Sequence, residues 1–149
     1  MIAIASDHAA LEMKKTIMGL LDEMGLEYKD FGTYTTDSCD YPVFAARAAH
    51  AVADGTCDRG ILICGTGIGM SLVANKVKGI RCVACSEVFS AELSRLHNDA
   101  NMIAIGARVL GSEVAKQIVR VWLTTPFEGG RHQRREDMIS AVERGESVE

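Results

Sequence analysis

Gly60-Ile61-Leu62-Ile63-Cys64-Gly65-Thr66-Gly67-Ile68-Gly69-Met70-Ser71 is an apolar run that ends in a cysteine and enters a loop with glycine at every second position. A run this short, stopped by glycines, reads as a buried strand of a parallel sheet, and the glycines allow backbone to approach a ligand closely. Helix formers resume at Ser71-Leu72-Val73-Ala74. Strand, glycine loop and helix N-terminus collect unpaired N–H groups and the positive helix end at one place, a setting for an anion, with Cys64 at its mouth. The third glycine comes one residue too early for the dinucleotide fingerprint, and no Lys-Ser/Thr follows as a P-loop requires. Taken alone, the stretch also fits a tight strand-to-helix turn around an inert cysteine.

The same alternation continues on both sides. Ile2 to Ala5 form a first strand, with Ser6-Asp7-His8 at its carboxyl end. Leu11, Ile17, Met18, Leu21 and Met24 then line one face of a helix, with Glu12, Lys14, Lys15, Asp22 and Glu23 mostly opposite, and Gly25 closes it. Tyr28 to Phe31 is a second strand. A polar loop reaches Asp40-Tyr41-Pro42, and Pro42 begins an alanine-rich helix to Ala53. Beyond the central stretch come a strand over 80–85, a helix over 87–96 with Ser86 as its cap, a strand over 102–105, and a helix from Ser112 to about Leu123. A closing helix follows Gly129-Gly130 over about 134–144, placed to pack on a partner subunit. Five rounds of strand and helix predict a single domain over 1–149: a three-layer α/β/α fold with a five-stranded parallel, Rossmann-like sheet. The first strand should lie beside the third, because ligands in open α/β sheets bind at the carboxyl ends where strand order reverses.

Composition narrows the function. A net charge of -4 argues against general nucleic-acid binding. No stretch approaches the roughly 18 apolar residues of a membrane span, and Asp7 interrupts the first apolar run too early for a signal peptide. Five cysteines without framework spacing fit reduced thiols and a cytoplasmic location. Cys82-x-x-Cys85 lies on a strand, where residues three apart point to opposite faces, so it is not read as half a metal site.

Topology selects the chemistry-bearing residues. Asp7 and His8 follow strand one, and Cys64 to Gly69 follow strand three, so both sets reach one rim. His97-Asn98 end a helix, which puts them on the opposite rim unless a neighbouring subunit supplies them, a reason to expect a shared, oligomeric site. Arg131 and Arg135, four apart, face the same way if the closing helix starts there, which makes either a fork for a phosphate or a solvated basic face. A free thiol of pKa about 8.5 is only a few per cent thiolate at neutral pH, and a helix dipole worth about 0.3 to 1 kcal/mol does not ionise it alone.

Asp7-His8, Asp40-Tyr41-Pro42, Cys64-Gly65-Thr66-Gly67-Ile68-Gly69, Ala74-Asn75-Lys76, His97-Asn98-Asp99-Ala100-Asn101, Gly106-Ala107-Arg108 and Gly129-Gly130-Arg131-His132-Gln133 together resemble the ribose-5-phosphate isomerase B (RpiB/LacAB) family, in order and over nearly the whole chain. The resemblance implies interconversion of an aldose phosphate and its ketose through a cis-enediolate, without metal or cofactor. It implies Cys64 as the base moving a proton between C2 and C1, assisted by Thr66, with the N–H groups of Gly65, Gly67 and Gly69 around the enediolate charge. His97 would open the sugar ring, helped by Asp7. His8, Arg108, Arg131 and Arg135 would bind the phosphate, Asn98 the sugar, and Tyr41 would line the pocket. Sites in this family are shared across a homodimer, or a homotetramer built from it, with the His-Asn-Asp and Gly-Ala-Arg segments expected from the partner. Ribose 5-phosphate is the expected substrate, with a six-carbon aldose 6-phosphate as the alternative and a non-catalytic sugar-phosphate sensor as the reading from another class. Ala10 and Leu11 stand where many members carry a glycine and an aromatic.

Overall fold

The computed structural model describes residues 1–149. In chain order the elements are β1 (Ile2–Ser6), a 3-10 turn (His8–Ala10), α1 (Leu11–Glu23), β2 (Tyr28–Asp30), α2 (Tyr41–Ala53), β3 (Arg59–Cys64), α3 (Ile68–Ala74), β4 (Cys82–Ala84), α4 (Val88–Leu96), β5 (Met102–Gly106), α5 (Ser112–Thr124) and α6 (Arg131–Glu143). The five strands form one sheet in the order β2-β1-β3-β5-β4, and every neighbouring pair is parallel. The expected α/β/α fold and the pairing of β1 with β3 are therefore present. The sheet also puts β5 beside β3, with Gly106 opposite Cys64.

Alternation along the central strands explains the two helical layers. Ile2, Ile4, Ile61, Ile63, Ile103 and Ile105 face one side, where they pack against Ile17, Leu20 and Leu21 of α1 and Ile118, Val119 and Trp122 of α5. Ala3, Ala5, Leu62, Cys64 and Ala104 face the other, against Ala45, Ala48 and Ala49 of α2 and Met70 and Ala74 of α3. Bulky side chains fill the first gap, while small ones let α2 and α3 come close to the sheet on the second. Cys64 thus belongs to the tightly packed face, under the start of α3. Cys85 and Cys82 fall into opposite layers, as expected of strand residues three apart.

Four local readings change. Lys14, assigned to the polar face of α1, is buried, and its Nζ donates to Asp30 Oδ1 at 2.8 Å and to the carbonyl of Thr33. Periodicity cannot foresee a buried cation that finds its own anion and carbonyl. The cap of α4 is Glu87, whose carboxylate accepts the Ser90 N–H at 3.0 Å, so Ser86 lies outside the helix. The third helix begins at Ile68 because Gly67, at φ +83°, turns the chain directly into it, leaving Gly69 in its first turn. The last helix starts at Arg131, so Arg131 and Arg135 share its first two turns.

Candidate active site

At the carboxyl rim, β1 and β3 deliver their next residues side by side. The Asp7 N–H donates to Ile63 O at 3.1 Å, and the largely buried Asp7 carboxylate accepts the Ala9 N–H at 3.0 Å, capping the 3-10 turn. His8 Nδ1 accepts the Cys39 N–H at 3.2 Å. A backbone donor can only meet a lone pair, so the neutral ring carries its proton on Nε2, leaving that N–H to reach a ligand. Cys39, in the polar loop before α2, was not singled out from sequence, because nothing local in a sequence ties residues 31 apart.

Cys64 is buried, and its Sγ accepts the Gly67 N–H at 3.1 Å. This donor is strongest when the sulfur is charged, and it fixes the sulfur at the loop. The Ile68 N–H donates to Thr66 Oγ1 at 3.2 Å, leaving the exposed Thr66 hydroxyl proton free to donate. The expected anion cradle of Gly65, Gly67 and Gly69 is correspondingly narrower: the Gly67 N–H already serves the sulfur. The N–H groups of Gly69 and Met70, in the first turn of α3, have no acceptor within the chain.

Close approach accounts for two of the glycines. A Cβ on Gly69 would sit 2.8 Å from Tyr41 Cζ, so the Tyr41 ring lies across the start of α3 and walls the site. A Cβ on Gly106 would sit 2.8 Å from Gly65 O and Thr66 Cα, so Gly106 is what lets β5 run beside the Cys64 loop. Its role was hidden in the sequence, which does not say that β5 neighbours β3. The same adjacency corrects the expected origin of Arg108. Its N–H donates to Gly65 O at 3.0 Å and its side chain passes over Gly65, so this arginine joins the Cys64 loop of its own chain rather than a partner's.

The remaining predicted residues lie at the other rim. Gly60, at the start of β3, donates its N–H to Asn101 O at 2.9 Å, which places the His97-to-Asn101 turn at the amino ends of the strands. Cys64 is four residues further along β3, about 13 Å at the rise of a strand. The turn is clamped by Arg81, whose Nε donates to Asn98 O at 3.2 Å and whose Nη2 donates to Asp99 O at 3.0 Å and pairs with Glu136 of α6 at 2.9 Å. Glu136 is buried, and burial pushes its carboxyl up while Arg81 opposes the shift. Arg131 and Arg135 stand exposed on α6 without an acidic partner. His97 stacks on His132, with ring centroids 4.2 Å apart and planes 12° apart, and Glu128 Oε2 lies 3.3 Å from His132 Nε2.

His97, Glu128 and His132 form the one group whose possible metal-ligating atoms lie within 4.8 Å of one another. Near-parallel rings send their in-plane lone pairs side by side rather than to a common point, so the trio is a packed stack and not a coordination cage. The other buried thiols are not poised for chemistry: burial pushes Cys82 up to about 12 and Cys85 up to about 11.

The predicted residues thus fall into two sets. One rim holds Asp7, His8, Tyr41, Cys64, Thr66 and Arg108; the other holds His97, Asn98, Arg131 and Arg135. No helix is long and apolar enough to cross a membrane.

The sequence profile described as Ribose/Galactose Isomerase matches residues 2–139. The chain is 52% identical over 142 residues to the ribose-5-phosphate isomerase B of Escherichia coli strain K12, covering 95% of each chain. It is 46% identical over 146 residues to the D-erythrulose-4-phosphate isomerase of Pectobacterium atrosepticum, covering 97% of this chain and 96% of that one. Among solved structures, the Clostridium thermocellum ribose-5-phosphate isomerase B superposes with a TM-score of 0.95 at 48% identity, covering 97% of both chains.

Proposed function

The chain belongs to the Ribose/Galactose Isomerase family, and from that premise we propose that it interconverts ribose 5-phosphate and ribulose 5-phosphate. The observation that carries the mechanism is the Cys64 sulfur, held at the end of β3 by the Gly67 N–H at 3.1 Å beside Asp7, His8 and Tyr41. On this reading His97 first protonates the ring oxygen of the cyclic aldose, giving the open chain. Cys64, as thiolate, then takes the proton from C2, and the electron pair moves onto the C1 carbonyl oxygen to give a cis-enediolate. The free N–H groups of Gly69 and Met70 and the Thr66 hydroxyl stabilise that charge, which is larger in the transition state than in the bound sugar. Return of that proton from the Cys64 thiol to C1, with the O2 hydroxyl proton passing to O1 through the Thr66 hydroxyl, forms the ketose and restores the thiolate, and no metal or cofactor enters the cycle.

The two rims explain why we propose a homodimer, free to build a homotetramer, as the active form. His97 and Cys64 lie a strand's length apart in one chain, too far to act on the same small sugar. A two-fold contact that brings the amino rim of one copy to the carboxyl rim of the other completes two sites at once. Phosphate then meets His8 and Arg108 from one chain and Arg131 and Arg135 from its partner, while Asn98 of that same partner holds the sugar hydroxyls. Five unpaired thiols fit a reducing, cytoplasmic setting.

The test is turnover by metal-stripped protein in deuterium oxide, with four-, five- and six-carbon aldose phosphates offered in parallel. Ketose from ribose 5-phosphate, with deuterium entering at C1, is the expected result. Preference for the four- or six-carbon sugar would reassign the substrate within the same chemistry, and binding without turnover on any of them would defeat the isomerase reading.

A further inference from the structure

Building on the isomerase reading, we infer that Glu128 and His132 are positioning residues for ring opening, holding the His97 imidazole in the plane from which it reaches the sugar ring oxygen. His97 is the C-cap of α4, where a side chain is free to swing. Here it is not free. Its ring lies 4.2 Å from that of His132, nearly parallel, and His132 is only 7% exposed, so its own ring is fixed by the surrounding packing. Glu128 holds the far side: its Oε2 is 3.3 Å from His132 Nε2, and its backbone N–H donates to Leu96 O at 3.1 Å. Leu96 precedes His97, so the contacts close a ring from Leu96 to Glu128, to His132, to His97 and back along the chain. The end of α4, the segment after α5 and the start of α6 are joined at this one point.

Such a brace matters for an acid more than for a phosphate ligand. A general acid must hold its N–H within hydrogen-bond reach of the atom that it protonates, and misplacement by about 1 Å costs up to about 10²-fold. An arginine reaching a phosphate tolerates more movement, because the charge it meets is spread over three oxygens.

The chemistry of the two sugars separates this step from proton transfer. Ribose 5-phosphate is mostly cyclic and must be opened. Ribulose 5-phosphate carries its phosphate on the C5 oxygen, so it cannot close a five-membered ring onto C2 and stays open. Exchange of a C1 hydrogen of the ketose with solvent therefore uses Cys64 and the enediolate but not the ring-opening acid.

The experiment compares His132→Ala, His132→Phe and Glu128→Ala with the wild type in two assays: conversion of ribose 5-phosphate, and loss of deuterium from C1-deuterated ribulose 5-phosphate into water. The Glu128 side chain is half-exposed, so its truncation leaves the fold intact even if His132→Ala does not fold. His132→Ala and Glu128→Ala should lower kcat on the aldose about tenfold, with KM and C1 exchange within about twofold of wild type. His132→Phe, which keeps a flat ring under His97, should recover most of the loss. Unchanged aldose turnover in both alanine variants, or an equal loss in C1 exchange, overturns the inference. A wild type that neither converts the aldose nor exchanges the ketose defeats the isomerase reading itself, an outcome distinct from active wild type with indifferent variants.

Discussion

Gly69→Ala separates stability from activity at one methyl group. Gly69 occupies the first turn of α3 with an ordinary helical φ, so alanine there gains up to about 1 kcal/mol of helix propensity. Against this, the new Cβ would stand 2.8 Å from Tyr41 Cζ and 3.0 Å from the Tyr41 hydroxyl oxygen. Carbon atoms rest about 3.5 to 4.0 Å apart, so the ring must retreat by about 0.7 to 1.2 Å. Tyr41 is 39% exposed and can turn outward, at about 0.5 to 1.5 kcal/mol for an off-rotamer side chain. The two effects nearly cancel, and Tm should stay within about 4 °C of wild type. The wall of the site, however, has moved by about 1 Å, so kcat/KM for the preferred aldose phosphate should fall by about 10- to 100-fold. Thermal melts with steady-state kinetics on purified protein decide the matter, and Tyr41→Ala supplies the control: in its background Gly69→Ala should cost little more, because the group it displaces is gone. Wild-type kinetics in a folded Gly69→Ala protein would refute the argument that Tyr41 forms the wall, and a loss of many degrees in Tm would refute the argument that the ring yields.

Cys64→Ala should lower turnover by about 10²- to 10⁴-fold with an unchanged circular dichroism spectrum, and a variant as fast as wild type would remove the thiol as base. Arg135→Ala should raise KM for the phosphorylated sugar with little change in kcat, read from initial rates across substrate concentrations. The alkaline limb of stability should report Cys82. Burial raises its folded pKa from that of a free thiol to about 12, so the neutral thiol contributes stability that is fully present below about pH 8.5 and is lost as pH rises toward 12. Urea midpoints measured between pH 8 and pH 11 should therefore fall with pH, and Cys82→Ala should flatten that fall; an equal slope in both proteins would assign it to other groups.

Much of this architecture is legible in the sequence alone. Local signals are enough where the cause is local: a run of Ile61, Leu62 and Ile63 stopped by glycines, an amphipathic period, Gly25 after α1, a proline at the start of α2. Lys14 escaped because its burial depends on Asp30 and on the carbonyl of Thr33, which the fold brings together from beyond α1. Residue type favours Ser86 as a cap, yet Glu87 reaches the Ser90 N–H with its longer side chain. Glycine is a poor helix former, so the sequence points to a later start for α3, whereas Gly67 ends the loop by adopting a conformation that other residues avoid.

The site divides along the same line. From sequence alone came the rim on which Asp7, His8 and Cys64 fall and the opposite one for His97 and Asn98, because strand ends and helix ends alternate in a parallel α/β chain. The order of the last two strands was beyond it: β5 lies beside β3, so Arg108 meets Gly65 in its own chain and Gly106 has to be a glycine. Beyond it too were the Cys39 donor that sets the His8 tautomer, the Gly67 donor on the Cys64 sulfur and the stack that braces His97. Each of these is a contact between backbone or side chains whose partners are chosen by packing in three dimensions. Periodicity in one dimension records which face a residue takes and says nothing of what waits there.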